Sequence, residues 1–443
     1  MTNLVIPRRQ PIGLTQELIN YDVLKILGEI ERVGIDYKSI PFAKLDLSER
    51  KRTSLFPWRG QFSPELIELL LNEYSKYNDT ILDPFAGSGT TIYESCRKNL
   101  IGYGVEINPA AIEMARTVHF AGLKDSKREL YIKEAKDILE KNILSLKHDG
   151  LFSFLTTEIK DENIENIFIR MIKSSSGDQF IYNIVINTII RYFTIKNTNK
   201  DIKYRLLNAF KQHADIIRSL PFCEKTLRIY QGDARVLPID SGIIDLVITS
   251  PPYINVFNYH QYCRSVMEIA GWNLLKIAKS EIGSNRKNRG NRFLTVIQYS
   301  IDMLHALTEM RRVINSNGKI IIIVGRESKV RGISFENYKI ISILAIAGAG
   351  LQLVNRQERK FINRFGEKIY EDLLYFSPKA NPIENPTEFS KLIGVFFLNE
   401  GLVNSVGDVK EDIKNAIENS SKVEESPLLK SRSWGEPYEY HAS

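Results

Sequence analysis

Hydrophobic residues follow two periodicities along the chain. Between residues 16 and 33 they recur every three or four positions, which predicts a helix that packs by one face. Farther along, short apolar runs alternate with helix-like stretches. Thr80–Asp83 and Ile101–Glu106 are typical of buried strands, and 91–98 and 109–118 are typical of the helices after them. Such alternation predicts a parallel sheet with right-handed crossovers.

Residues 119–222 interrupt the alternation of strands and helices. This region is rich in Lys, Ile and Asn at helical spacing, as in 130–146 and 180–193, and it predicts a helical insertion outside the sheet. A polar and basic segment, 276–292, separates two later strands. The remaining predicted strands, of which the last two form an antiparallel pair, are 226–230, 243–249, 319–324, Leu351–Ile362 and 369–376.

The same patterns divide the chain into four regions. Residues 1–52 predict an N-terminal helical extension. Residues 53–118 and 223–378 predict the two halves of one α/β domain, separated in sequence by the helical insertion. The pattern weakens in 379–443, which predict a C-terminal helical extension.

Composition narrows the classes of protein. The chain has 443 residues, of which 43% are hydrophobic, enough for a large core. No apolar run approaches the roughly 18 residues of a membrane span, and the N-terminal residues lack the apolar stretch of a secretory signal. Cys96, Cys223 and Cys263 lie far apart in sequence without disulfide or metal spacing, which fits a reducing cytoplasm. The net charge of +7 favours an anionic partner such as nucleic acid.

A glycine-rich turn follows the first predicted strand directly. Gly87 and Gly89 allow a tight turn and let a ligand approach the backbone, and the next helix presents free amides and the positive end of its dipole. A purely structural turn between a strand and a helix would have the same pattern. The residues that we predict to bind a cofactor here are Asp83, Pro84, Phe85, Ala86, Gly87, Gly89, Thr90 and Thr91.

Acidic residues stand at the ends of the next two predicted strands. Glu106, with Ile107 after it, lies about twenty residues beyond the glycine turn, where a carboxylate suits ribose hydroxyls and disfavours a 2′-phosphate. Asp233, followed by Ala234, can accept a hydrogen bond from an adenine amino group. A surface glutamate and a turn-capping aspartate are the alternatives. With the glycine turn, the two acids predict a cofactor that contains a nucleoside.

The run Thr249-Ser-Pro-Pro-Tyr253 ends the following apolar strand. Pro251 and Pro252 fix an extended backbone without amide donors. Exposed carbonyls and the Ser250 hydroxyl then offer acceptors to an NH2 group, and Tyr253 offers a flat face for a base. Methylation of an amino nitrogen requires such acceptors around it, so Ser250 to Tyr253 are the candidate catalytic residues. A proline-rich turn without function is the alternative.

With these motifs the sequence resembles the DNA amino-methyltransferases, which modify adenine N6 or cytosine N4. The resemblance covers 53–118 and 226–378. It implies S-adenosylmethionine as cofactor, double-stranded DNA as substrate, and an α/β, Rossmann-like class I methyltransferase fold with a mostly parallel seven-stranded sheet. Residues 56–64 are similar to the family segment that lies against the methionine end of the cofactor, which adds Trp58 to the candidate cofactor residues.

The resemblance also implies that the target base is flipped out of the duplex and methylated by direct transfer. A serine at position 250 is typical of cytosine-N4 enzymes, so cytosine is the expected target and adenine N6 is the alternative. Carbon-5 methylation would need a cysteine where Tyr253 stands. We expect no metal, because the histidines form no pair at metal spacing. The candidate substrate-binding residues are Asn255, Asn258 and Tyr259 beside the base, and Arg286, Lys287, Arg289 and Arg292 for phosphate contacts.

Other interpretations remain open at this point. A guanine-N2 RNA methyltransferase shares the glycine turn and a proline pair, but usually carries an N-terminal RNA-binding module. A non-catalytic nucleic-acid binder of the same fold would lack Glu106 or the proline pair. A role in restriction–modification or phage defence would imply a separate cognate restriction endonuclease as partner. The insertion, 119–222, departs from common family members and is a candidate target-recognition region.

Overall fold

The structure of the chain is a computed structural model. The residues that it describes are 16–47, 52–144, 161–194, 201–254, 259–284, 288, 290–362, 366–433 and 436. Their strands are β1 (Thr80–Asp83), β2 (Ile101–Glu106), β3 (Leu227–Gln231), β4 (Ile244–Thr249), β5 (Ile314–Gly325), β6 (Glu327–Val330), β7 (Ile333–Glu336), β8 (Leu351–Ile362) and β9 (Lys368–Pro378).

Helices flank the strands on both sides and fill the insertion. The first five are α1 (Gln16–Val33), α2 (Phe42–Leu45), α3 (Pro64–Tyr74), α4 (Thr90–Arg97) and α5 (Pro109–Arg116). The insertion contains α6 (Asp125–Leu144), α7 (Asp161–Ser175), α8 (Gln179–Thr194) and α9 (Ile202–Ser219). The later helices are α10 (Arg264–Ile269), α11 (Leu274–Ser280), α12 (Leu294–Val313), α13 (Asn337–Ile343), α14 (Pro386–Val403) and α15 (Gly407–Glu418).

The main sheet has seven strands in the order β3-β2-β1-β4-β5-β9-β8. Neighbouring strands from β3 to β5 pair in parallel, and β9 is antiparallel to both β5 and β8. The strand order continues from β1 toward β2 on one side and from β4 toward β5 on the other. This reversal makes a topological switch point between β1 and β4, where open α/β sheets bind ligands at the carboxyl ends of their strands.

Both faces of the sheet are buried, which explains why its strands read as continuous apolar runs. In β5, Ile320 and Ile322 belong to the core cluster that includes α12, α13 and α14. The alternate residues Ile321 and Ile323 belong to the cluster on the other face, with the apolar side of α3. The strand period of two therefore assigns successive isoleucines to opposite layers.

The insertion forms a helical layer fixed to α5. Helices α6 to α9 share a hydrophobic core with α4 and α5. Asn183 on α8 donates to the carboxylate and the main-chain carbonyl of Glu113, at 2.8 and 2.7 Å, and Asn187 donates to the same carbonyl at 2.8 Å. Glu113 also pairs with Arg116 at 2.9 Å, and all four residues are buried. Buried hydrogen bonds and ion pairs of this kind favour one docking geometry.

The C-terminal extension returns to the edge of the sheet. Helix α14 packs against α12, and the chain then reaches β3, where Gln231 and Arg432 exchange two backbone hydrogen bonds of 3.0 and 2.7 Å. A Cβ at Gly232 would lie 2.8 Å from Ser431 Oγ. We call residues 423–433 the C-terminal strap, because they cover the chain beyond β3.

The strands and helices predicted from sequence agree with the structure in position and type. The elements that were not predicted include helices α2, α3, α12 and α13 and the antiparallel hairpin of β6 and β7. The polar and basic segment 276–292 begins within α11. Among the described helices, none combines the length and apolar character needed to cross a membrane.

Candidate active site

A cleft opens at the carboxyl ends of β1 to β4, beside the switch point. It encloses about 830 Å³ including its open mouth, within the size range of ligand pockets. The predicted site residues that line it are Trp58, Asp83, Pro84, Phe85, Ala86, Gly87, Thr90, Glu106, Ile107, Asp233, Ala234, Ser250, Pro252 and Tyr259. The fold therefore brings all four sequence motifs to one cavity.

The two glycines of the turn after β1 have different structural roles. Gly87 lines the cleft with φ +52°, and a Cβ there would lie 3.0 Å from the Trp58 ring. Gly89, with φ +89°, precedes α4, and a Cβ there would lie 2.8 Å from Ala115 Cβ on α5. Gly87 thus keeps the cleft open, whereas Gly89 lets α4 and α5 pack closely and does not line the cleft.

Asp83 joins the glycine turn to the strand that leads into Ser250–Tyr253. Its buried Oδ1 accepts hydrogen bonds from Thr249 Oγ1 at 2.7 Å and from the Phe85 amide at 3.1 Å. Its Oδ2 accepts one from Thr91 Oγ1 at 2.7 Å. Burial raises the pKa of Asp83 to about 6, against the opposing effect of the Thr249 and Thr91 hydroxyls. Thr91 therefore acts through Asp83 and does not line the cleft.

Glu106, at the end of β2, braces the glycine turn. One oxygen of its carboxylate accepts a hydrogen bond from the Gly87 amide, and the other accepts one from the Asn108 amide, both at 2.8 Å. Burial raises the pKa of Glu106 to about 7, although the two amides favour the charged form. A carboxylate has roughly four lone-pair sites, so each oxygen can still accept a hydrogen bond from a ligand hydroxyl.

Asp233 lines the cleft, but a neighbouring arginine already engages its carboxylate. Arg235 donates from its amide and Nε to Oδ1, at 3.0 and 2.9 Å, and from Nη2 to Oδ2 at 2.6 Å. The Leu429 amide of the C-terminal strap also donates to Oδ2, at 3.4 Å. A further hydrogen bond from an adenine amino group would have to share these lone pairs, so the adenine contact remains a prediction.

The Ser250–Tyr253 motif enters the cleft in part. Ser250 and Pro252 line it, whereas Pro251 is buried and neither Pro251 nor Tyr253 is among the lining residues. The Tyr253 hydroxyl lies 3.5 Å from Ser250 Oγ, and its ring packs closely against Gly325 at the end of β5. Burial, followed by the nearby charge of Glu371, raises the pKa of Tyr253 above its ordinary value. The phenol therefore stays protonated at neutral pH. Its stacking on a base remains a prediction.

Trp58, from the segment before the sheet, forms an aromatic wall with Tyr259 and Tyr262, which follow β4. The Trp58 ring stacks on Tyr259 with centroids 6.3 Å apart and an interplanar angle of 16°. The edge of Tyr262 meets Trp58 at 5.4 Å, and Gln61 binds the turn by accepting a hydrogen bond from Ser88 Oγ at 2.9 Å. This wall places Trp58 and Tyr259 at the cleft as predicted.

Eight residues of the cleft were not predicted individually: Arg59, Gly60, Gln61, Phe62, Gly232, Ser280, Glu281 and Ile282. Residues 59–62 follow Trp58 within the segment 56–64 that resembles the family, and that segment could have identified them. No sequence signal marked 280–282, which arrive through tertiary folding. Among the predicted substrate residues, Arg292 is exposed and outside the cleft lining. Asn255, Asn258, Arg286, Lys287 and Arg289 lie outside the described residues.

The cleft is acidic. Among the described lining residues, Asp83, Glu106, Asp233 and Glu281 are acids and Arg59 is basic. In a cavity with restricted access to water, carboxylates favour a ligand that carries positive charge. No group of three His, Cys, Asp or Glu side chains within the described ranges could hold a metal ion.

Comparison with known proteins gives a local match. Residues 34–117 match a family described as DNA methylase. The type II methyltransferase M.MjaII of Methanocaldococcus jannaschii is 37% identical over 67 residues, 14% of this chain and 13% of that protein. The type II beta methyltransferase M.BslI of a Bacillus species is 32% identical over 78 residues, 17% of this chain and 9% of that protein. The chain thus covers a small fraction of either relative.

Comparison of structures gives a likeness to a SAM-dependent methyltransferase from Methanosarcina mazei. The TM-score is 0.32 and the sequence identity 10%, over 70% of this chain and 98% of that one.

Proposed function

We propose that this chain is a DNA amino-methyltransferase that methylates an exocyclic amino nitrogen of a base in DNA, with cytosine N4 preferred. The match of residues 34–117 to the DNA methylase family supports this proposal. One observation carries the proposal. The Thr249 hydroxyl donates to Asp83 at 2.7 Å, so the strand ends that carry the cofactor motif and the catalytic motif are bonded together and line one cleft. A methyl donor and an amino acceptor bound there would be neighbours, which is the main requirement for direct transfer.

The cleft fits S-adenosylmethionine by charge and shape. Glu106 has lone pairs left for ribose hydroxyls, and Gly87 leaves room beside Trp58 that a side chain would fill. The excess of carboxylates suits the cationic sulfonium and ammonium groups. When bound, this cofactor supplies an electrophilic methyl group. The residues that would hold it are Trp58, Asp83, Gly87, Glu106 and Ile107, with Asp233 near the nucleoside.

The Ser250–Tyr253 motif would hold the base. Ser250 Oγ and the carbonyl of Pro251 would accept hydrogen bonds from the amino group, which turns the nitrogen lone pair out of ring conjugation. The base must leave the duplex to reach the cleft, at a cost of a few kcal/mol. Stacking on an aromatic ring such as Tyr253 or Tyr259 can offset about 1–3 kcal/mol of this. The helical insertion, 119–222, stays our candidate for reading the DNA sequence.

The chemical identity of the product tests this function. DNA from a host that expresses the protein should contain N4-methylcytosine, measured by mass spectrometry of its nucleosides. The purified protein should transfer tritiated methyl groups to DNA and not to total RNA. If the DNA contains N6-methyladenine instead, the target base is adenine and not cytosine. Label in RNA alone would overturn the proposed substrate, and no label in either would overturn the activity. A separate restriction endonuclease is the partner that we expect if the protein serves restriction–modification.

Glu106→Ala is expected to weaken the binding of S-adenosylmethionine by about 10- to 100-fold, since hydrogen bonds to a charged group contribute about 1.5–3 kcal/mol. The measurement is calorimetric titration. Glu411→Ala is the control, because this exposed glutamate lies on α15, away from the cleft. Equal affinity in the Glu106→Ala and Glu411→Ala proteins would remove Glu106 from the site.

Cofactor affinity should also depend on pH. The pKa of Glu106 is raised to about 7, so the charged acceptor predominates above that pH and is lost below it. Affinity is therefore expected to fall as pH drops through about 7, by at most about tenfold per pH unit. Asp83, with a pKa of about 6, titrates lower. In Glu106→Gln the fall near pH 7 should disappear; if it persists, another group causes it.

A further inference from the structure

A carboxylate–imidazole pair lies in the wall of the cleft and has no role in the mechanism so far. Glu281 lines the cleft together with Ser250 and Pro252. Its Oε1 accepts a hydrogen bond from the His260 amide at 2.7 Å, and its Oε2 lies 2.7 Å from His260 Nδ1. The two side chains are 3% and 2% exposed. His260 therefore fixes the direction of both carboxylate oxygens.

The segment that carries Glu281 rests on the catalytic motif. Gly283 has φ +74°, and a Cβ there would lie 2.6 Å from the carbonyl oxygen of Tyr253. A residue with a side chain at this position would separate the two segments. The glycine thus keeps the Glu281 segment against the backbone of the residues that would grip the base.

Amino methylation requires an acceptor for a proton. The amino nitrogen begins with two hydrogens and ends with one, so one proton must leave. Ser250 Oγ and the prolyl carbonyl can accept hydrogen bonds, but they are far weaker bases than a carboxylate. Tyr253 stays protonated because burial and Glu371 raise its pKa. The Ser250–Tyr253 motif can therefore orient the amino group but offers no strong base.

We propose that the Glu281 carboxylate, oriented by His260, accepts the proton that leaves the amino nitrogen of the target base. This inference rests on the proposed function. The nitrogen lone pair forms the new N–CH3 bond while the CH3–S bond of the donor breaks and its electron pair stays on sulfur. The N–H bond then breaks, its electron pair stays on nitrogen, and the proton passes to Glu281. The methylated base is left neutral, and the proton is later released to solvent.

Glu281→Gln tests the proposal with little change of shape. The glutamine oxygen can still accept from the His260 amide, and its NH2 can donate to Nδ1 once the imidazole proton moves to Nε2. Both contacts survive, while the basic oxygen is lost. The single-turnover methylation rate is expected to fall by about 100-fold or more, the usual contribution of a positioned base. Glu281→Asp, which keeps a carboxylate, should recover part of this loss.

Binding measurements distinguish a role of Glu281 in proton transfer from a role in cofactor binding or in base flipping. Calorimetry should give Glu281→Gln the wild-type affinity for S-adenosylhomocysteine, and 2-aminopurine at the target position should report normal base flipping. The target site is read first from DNA methylated by the wild-type protein. A normal rate in Glu281→Gln would overturn the proposal, as would a lost affinity that accounts for the whole effect. Glu268→Gln, an exposed residue of α10, is the control. If the wild type itself methylates no DNA, the proposed function fails instead.

Discussion

Ser250→Ala is expected to lower the rate of base methylation by about 100-fold or more while the affinity for S-adenosylmethionine stays that of the wild type. Removing one group that stabilises a transition state in an excluded site costs about 10²–10³ in kcat. Ser250 lines the cleft, with its hydroxyl 3.5 Å from that of Tyr253. Ser250 takes no part in the hydrogen bonds from the Gly87 and Asn108 amides to Glu106, which lie on the side of the cleft proposed for the cofactor. Single-turnover methylation and calorimetry on the same preparations measure the two quantities.

Pro251→Ala is the companion of that experiment. Pro251 is buried behind the cleft, so its ring sets the direction of the carbonyl rather than touching a ligand. Methylation is expected to fall again without loss of cofactor affinity, and less than in Ser250→Ala because the carbonyl itself remains. Arg264→Ala, on the exposed side of α10, should retain the wild-type rate. If either Ser250→Ala or Pro251→Ala methylates at that rate, the amino group is held elsewhere.

The sequence predicted the strands whose ends carry the candidate site residues. The bounds of β1 and β2 follow from apolar runs that end at Asp83 and Glu106. Strand β4 ends at Thr249 because two prolines follow shortly after it. Parallel strands have their carboxyl ends at one edge of a sheet, so motifs placed there had to meet. These features are local in sequence, which is why they could be predicted without a structure.

What could not be predicted depends on contacts between distant segments. Glu281 stands in a stretch with no motif, and only the fold brings it into the same cleft as Ser250. Asp233 was predicted to contact adenine, with a turn cap as the alternative, and nothing in the sequence shows that the Arg235 side chain folds back onto it. The C-terminal strap likewise had no signature, since its backbone pairing with Gln231 uses groups that every residue carries.

Arg235→Met is expected to lower the free energy of unfolding by about 3–5 kcal/mol, the usual effect of removing one partner from a buried ion pair. Arg235 donates to Asp233 and also to Asp302 Oδ1 on α12, at 2.6 Å. It donates further to the carbonyls of Ser426 and Pro427 in the strap, at 2.6 and 3.1 Å. Its side chain is 2% exposed, and those of Asp233 and Asp302 are 2% and 0% exposed. Methionine fills similar volume but leaves two buried carboxylates without their cation.

Urea unfolding measures this loss, and its pH dependence identifies the cause. Burial already raises the pKa of Asp302, with Arg235 opposing that rise. Without the arginine, the folded-state pKa of Asp302 should rise further above its unfolded value. The deficit of Arg235→Met should then be largest at neutral pH and shrink as pH falls and the carboxylates take up protons.

Matched variants distinguish the effect of uncompensated buried charge on stability from the effect of lost packing contacts. Arg264→Met removes an arginine from an exposed pair with Glu268, and its effect should be at most about 1 kcal/mol. Adding Asp302→Asn to Arg235→Met removes one uncompensated charge, so the double variant should be more stable than Arg235→Met alone. If the double variant is no more stable, or if the Arg235→Met deficit does not vary with pH, the network stabilises the strap by packing and not by charge. Cofactor affinity should fall with Arg235→Met in either case, because Asp233 lines the cleft and loses the arginine that holds its carboxylate.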